Sequence, residues 1–355
     1  MKKQKQVTIN QHYVPQFYLN NFSHNNKKGK KSIDVFDIDL NKILRNQRIE
    51  NVAFEKYFYD IDLEKYLNNI SGLRLLLIKV YLKIKFGLRF KISQFKNLNT
   101  IENILATVES NTSPIFTKII EKSETYTKWE RENCFLINED EKLKIATFLA
   151  VQFLRTPKIR QSFQEANTVL KAQIIQEFHY RDTGEIIDLN ELIEEINSED
   201  IKNQHLNSIF TENTKKIVDI FNKHSWVFYK NNTNVDFITS DSPISTKATK
   251  DETLMSYGGI NSPGVMIIFP ITKKLILVMY ENELNMNQEN KKLIMCNDSD
   301  RIEAYNIVTF LNCHRFLYGN KKEFDKLNEY VSFHSKSTDP KFIFADSTIP
   351  KNNER

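Results

Sequence analysis

The chain has little of what punctuates or staples a fold. Its 355 residues include only 8 Gly and 8 Pro, too few turn formers for a many-turned all-β sandwich, and the balance favours long helices. Cysteine is scarce as well: the 3 present, Cys134, Cys296 and Cys313, are odd in number and far apart. That argues against a disulfide framework or a cysteine-based zinc site and makes reduced cytoplasm the expected compartment. No apolar run follows the basic opening MKKQKQVTINQ, so a secretory signal is not expected. The longest apolar stretch, residues 73–82, is interrupted by Arg74 and Lys79 and has about half the length of a bilayer-crossing helix. It is expected to be a buried helix, with no membrane partner. Catalytic signatures are missing too: no Gly-rich phosphate loop, HExxH, GxSxG or paired CxxC occurs, which leaves P-loop hydrolysis, zincin chemistry and α/β-hydrolase chemistry unsupported.

What is present is a large apolar inventory. Hydrophobic residues make up 40% and aromatics 12%, with 25 Phe and 14 Tyr, far above what a disordered chain carries. The length exceeds the usual single core, so one large domain or two packed ones are both allowed. Net charge is +5 with a pI near 8.8, which tolerates a polyanionic partner without marking a dedicated nucleic-acid binder.

Periodicity places the elements. A short helix is expected from Pro15 through Phe22, because Pro15 suits a first turn and holds Val14 extended. SIDVFDIDL alternates as a strand, with a hairpin to the next segment expected. Residues 83–92 alternate strictly, placing Lys83, Lys85, Arg89 and Lys91 on one strand face, either a solvated surface or a track for a phosphate backbone. Residues 97–122 have helical spacing with Pro114 as a kink or break. A helical block spans 138–178 and is expected to bend or stop at Thr156 and Pro157. From Trp226 the character turns to strand in WVFYK, NVDFITS, VMIIFPIT and KLILVMY, then to helix over 298–313 and a last strand at 315–318. The expected class is α+β: long helices in the N-terminal two-thirds packed with a mixed, largely antiparallel sheet in the C-terminal third. Residues 1–320 are expected to form one domain whose helix-rich part (to about 223) and β-rich part share one site. The remaining 321–355 are expected to be a partly ordered extension.

Three segments, HYVPQFYL-x-NF at residues 12–22, FLAVQFLRTP and FITSDSPI, resemble recurring stretches of a bacterial family catalogued as domain of unknown function 4238. The resemblance implies an intracellular bacterial protein and leaves its activity open. It also directs attention to the polar residues of those segments. His12 lies just upstream of a helix N-terminus, where an imidazole and free N–H groups suit an anion; a structural histidine shaping the Pro15 turn is the other reading. Gln16 suits ligand positioning. Glu109, which corresponds to a glutamate of the family, is a base or metal ligand, or a solvated helix residue. Gln152 and Arg155 lie three apart on one helix, and a guanidinium there binds phosphate or carboxylate, or pairs with Glu109. Asp241, beside Ser240 at a strand end, is a metal ligand or base, or an Asx-turn cap. Asn306 is a weaker member of the set.

Together these residues lead to an expected enzyme on a phosphate-containing substrate, a phosphodiesterase or nuclease with a role in phage defence. His12, Glu109 and Asp241 are its catalytic candidates, and Gln16, Gln152, Arg155, Ser240 and Asn306 its substrate contacts. Mg²⁺ or Mn²⁺ on Asp241 and Glu109 is the expected cofactor, and nucleic acid or a nucleotide the expected partner. The competing expectation is a non-catalytic binding or regulatory module, with a protein partner open to it, whose polar cluster is a structural hydrogen-bond network.

Overall fold

A computed structural model describes residues 9–26, 28–59, 100–125, 135–183, 186–195, 209, 212–249 and 259–334. The expected buried helix at 73–82, the basic strand face of Lys83, Lys85, Arg89 and Lys91, and the end of the C-terminal extension lie outside the described residues. The described N-terminal elements are β1 (Asn10–His12), α1 (Gln16–Leu19), β2 (His24–Asn25), β3 (Lys31–Asp37), β4 (Lys42–Gln47) and β5 (Phe54–Lys56). Helices α2 (Thr100–Thr125), α3 (Glu139–Leu154), α4 (Pro157–Thr183), α5 (Leu189–Glu195) and α6 (Glu212–Lys223) follow. The remainder is β6 (Ser225–Asn231), β7 (Thr239–Ser240), β8 (Ser245–Ala248), β9 (Val265–Thr272), β10 (Leu275–Tyr280), β11 (Leu293–Cys296), α7 (Ser299–Asn312), β12 (Phe316–Gly319) and α8 (Lys321–His334).

The class is α+β, with one correction to the expected arrangement: strands stand at both ends of the sequence and the helices mostly in the middle. Strand β3 pairs antiparallel with both β4 and β12, so Val35 lies opposite Tyr318. A sheet whose members come from opposite ends of the chain cannot be located by composition along it.

By its contacts the chain divides into two compact units. The first comprises Met1–Tyr13, Phe54–Thr112 and Lys144–Asp219; the second comprises Val14–Ala53, Ser113–Leu143 and Ile220–Arg355. In the first, β1 and β5 form a two-stranded antiparallel ribbon with His12 opposite Phe54. In the second, one five-stranded sheet has the order β11-β6-β10-β9-β8, and another the order β2-β3-β12-β7 with β4 on β3. Only the β11–β6 contact of the first sheet is parallel. Every residue of β10, LILVMY, is buried, which explains a continuous apolar run where a half-exposed strand would alternate.

Local chemistry sets the boundaries. Asn138 and Glu141 form a reciprocal capping box at the start of α3, Asn138 Oδ1 accepting from Glu141 N–H at 2.8 Å and Asn138 N–H donating to Glu141 Oε2 at 3.0 Å. Pro157 opens α4, where its missing N–H costs nothing, and the helical block is interrupted at Arg155 and Thr156, next to the expected break. Asp298 caps α7 by accepting from Asp300 and Arg301 N–H. Pro114 neither breaks nor ends α2, which continues to Thr125; Ile104, Leu105 and Val108 before it and Ile115, Phe116 and Ile119 after it are all buried, and that packing outweighs the lost backbone bond. NVDFITS is strand only at Thr239 and Ser240. Its Ile238 N–H donates to the Asn306 side chain instead of a neighbouring strand. The C-terminal extension opens with a packed helix, α8, whose Glu323, Phe324 and Leu327 are buried.

Candidate functional site

The apolar half of the opening segment is core. Tyr13, Val14, Tyr18, Leu19 and Phe22 are all buried. Tyr18 stacks on Phe269 with centroids 5.0 Å apart, and its hydroxyl makes 2.7 Å bonds to the Pro270 carbonyl and the Thr239 hydroxyl. Burial pushes that phenol far above its ordinary value, the Thr239 bond opposing it, so it is a neutral hydrogen-bonding fixture.

The polar candidates separate by unit. His12, Glu109, Gln152 and Arg155 belong to the first; Gln16, Ser240, Asp241 and Asn306 belong to the second.

In the first unit three of the four meet. Gln152 stands in the last turn of α3 and Arg155 in the turn directly after it, both 1% exposed. Gln152 Oε1 accepts from Arg155 Nε at 2.7 Å, and Gln152 Nε2 donates to the Tyr13 carbonyl at 3.0 Å. Arg155 Nη1 donates to Glu109 Oε1 at 2.8 Å. The ion pair that is the alternative reading of Arg155 and Glu109 is therefore formed, with Glu109 26% exposed at its side chain. Arg155 Nη2 is buried and has no hydrogen-bond partner. An unsatisfied guanidinium nitrogen in a buried setting is costly, about 1–3 kcal/mol or more.

Around this triad stand residues that the sequence reading missed. Gln11 is fully buried and its side-chain oxygen accepts the Tyr59 N–H, while the Tyr59 hydroxyl donates to the His12 carbonyl at 3.2 Å. Burial pushes the Tyr59 phenol well up, with Arg155 pulling it back and Glu102 and Glu109 adding to the rise. His12 is partly exposed, its ring 5.6 Å from that of Phe54. Arg160 lies 3.4 Å over the Phe58 ring and donates to the Phe58 carbonyl. The clue available in the sequence was adjacency: Gln11 abuts His12, and Phe58 and Tyr59 form an aromatic pair.

In the second unit three of the four candidates are engaged in holding the fold together. Asp241, 1% exposed, accepts backbone N–H bonds from His314 (2.8 Å), Arg315 (2.7 Å) and Phe316 (2.8 Å). Burial pushes its carboxyl up, against those three bonds, which hold the charged form. Arg315 turns its side chain to Asp37 in a bidentate pair at 3.0 and 2.8 Å, and this bond holds the Asp37 carboxyl below its ordinary range. Asn306 Oδ1 accepts from Ile238 N–H at 3.1 Å and its amide donates to the Asp236 carbonyl at 2.8 Å. Ser240 Oγ accepts from Ser242 N–H at 3.1 Å. Gln16 is exposed on α1. Asp241 and Asn306 thus hold the 236–242 segment to the loop before β12 and to α7.

The donor set does not suit Mg²⁺ or Mn²⁺. Both Asp241 oxygens are taken by N–H groups, Glu109 is paired with Arg155, and the described residues include no group of three or more His, Cys, Asp or Glu able to hold a metal ion. Among the described residues no helix is long and apolar enough to cross a membrane.

The first unit thus holds a buried guanidinium set in place by Gln152 and Glu109 and joined to the opening segment through Gln152 and the Tyr13 carbonyl. The chain belongs to the family described as protein of unknown function (DUF4238), whose profile matches residues 10–323. No curated protein and no solved structure matches it.

Proposed function

We propose that the protein is a binding module for a small phosphate-bearing ligand, recognised by Arg155. The observation that carries this reading is the buried Nη2 of Arg155, a charged donor with no partner on a side chain whose other nitrogens are held by Gln152 and Glu109. A phosphate oxygen satisfies such a donor in a charge-assisted bond. Glu109, the part-exposed member, is the carboxylate that an incoming anion displaces or moves past. Nucleotides and short single-stranded nucleic acids are the first ligands to test, and a cytoplasmic location belongs to the same proposal.

Binding is favoured over hydrolysis because the carboxylates a phosphodiesterase or nuclease would draw on are engaged: Asp241 by three N–H groups and Glu109 by Arg155. Thermal unfolding of the purified chain with pyrophosphate, nucleotides and single-stranded RNA tests both readings, run beside cleavage assays in Mg²⁺ and Mn²⁺. The binding reading expects a saturable rise in Tm that Arg155→Lys shifts to about tenfold or more higher ligand concentration, with no cleavage. Cleavage lost on His12→Ala or Asp241→Asn, in variants that stay folded, would establish the hydrolytic reading and a phage-defence nuclease instead.

A further inference from the structure

The second unit holds another cationic cluster that the reading above does not use. Arg301, in the first turn of α7, lies with its guanidinium carbon 4.3 Å over the Tyr229 ring and 5.7 Å from the Tyr305 ring centre. Its Nε donates to the Tyr305 hydroxyl at 3.1 Å and its Nη2 to the Tyr280 hydroxyl at 3.4 Å, while the Tyr229 and Tyr280 hydroxyls are 2.9 Å apart. The three tyrosines are buried and Arg301 is partly exposed.

The hydrogen-bond count of this cluster is lopsided. A guanidinium is the most donor-rich side chain, and each phenol adds a donor, yet every acceptor in the cluster is a phenolic oxygen. Among the described residues no carboxylate pairs with Arg301, and no bond to its Nη1 is formed. The phenols stay neutral: burial, as the leading cause, raises Tyr280 far above its usual range and pushes Tyr305 up to about 12, so they supply no anion. The position adds a second imbalance, because a cation in the first turn of a helix faces the positive end of the helix dipole. Asp298 at the cap and Asp300 in the first turn offset this, and Asp298 Oδ1 is occupied by the backbone N–H groups of Asp300 and Arg301. The part-exposed cation and the phenol donors beside it suit an acceptor with negative charge.

We propose that Arg301, with the hydroxyls of Tyr280 and Tyr305, forms an oxyanion site distinct from Arg155, which takes the phosphate or carboxylate group of a small ligand. The guanidinium is held edge and face by the tyrosines, which fixes its orientation before the anion arrives and lowers the ordering cost of binding.

The test follows the Arg301 Nε–H resonance of the full-length protein by NMR during titration with inorganic phosphate and, in a second arm, succinate, at constant ionic strength. Calorimetry gives affinities for wild type, Arg301→Lys, Tyr305→Phe and Arg155→Lys. The proposal expects a saturable shift of that resonance, affinity about tenfold weaker in R301K and weaker in Y305F, and a shift undiminished in R155K. A response to phosphate alone assigns a phosphate site, and a response to both arms a general oxyanion site. No saturable shift in either arm, or equal affinity in R301K and wild type, would overturn it. Because the resonance reports Arg301 alone, this outcome is independent of whether Arg155 binds anything.

Discussion

At the scale of single residues, the protein's polar side chains divide into those that are satisfied and those that are not. Asp241 is satisfied three times over by the backbone of His314, Arg315 and Phe316. Asp241→Ala leaves those N–H groups unpaired and is expected to destabilise the fold by about 3–5 kcal/mol, read as a lower urea midpoint with an unchanged slope. Arg315 and Asp37 set a pH dependence. Because the Arg315 bond lowers the folded Asp37 value, the pair contributes stability above the ordinary aspartate range, about pH 3.9, and loses it as pH falls through the folded value. Asp37→Asn should therefore cost about 1–2 kcal/mol at neutral pH, and the gap between variant and wild-type denaturation curves should close in acid. A gap that stays constant to low pH would show that the ion pair is not its source.

At the scale of elements, helices were legible in the sequence and short strands were not. The stripe of Ile145, Phe148 and Leu149 and the stop at Thr156 and Pro157 are local signals, and α3 and α4 follow them. Strands β1, β5 and β8 carry no comparable alternation, since three or four residues cannot display a period. They exist because a partner distant in sequence accepts their hydrogen bonds. Pro114 shows the opposite failure, a strong local signal overruled by packing. Pro114→Ala, which restores the N–H that α2 lacks, is expected to stabilise the protein by up to about 3 kcal/mol in chemical denaturation; a destabilised variant would mean that the proline ring itself contributes to the packing.

At the scale of the whole molecule, the opening segment is divided between the two units: Gln11, His12 and Tyr13 in one, Val14 through Phe22 in the other. Sequence reading marked the segment as important because of its resemblance; the same resemblance pointed to Glu109 and to the stretch holding Gln152 and Arg155, and helix spacing placed the last two together. It could not tell that Asp241 is spent on a loop seventy-odd residues away in sequence, because an Asx turn and a long-range clamp look the same in one dimension. Gln11 and Tyr59 escaped for the same reason: their roles depend on backbone groups brought near by folding.

The central claim is that the Arg155 guanidinium recognises an oxyanion against the competition of Glu109. Isothermal titration of pyrophosphate into wild type, Arg155→Lys and Glu109→Gln, each first shown to be folded, tests it directly because the two substitutions should act in opposite directions. Glu109→Gln removes the competing negative charge and is expected to tighten binding severalfold, while Arg155→Lys loses the planar donor pair and weakens it about tenfold or more. Equal weakening in both variants, or no binding in any of the three, would mean that the pair is a structural clamp and that the ligand lies elsewhere.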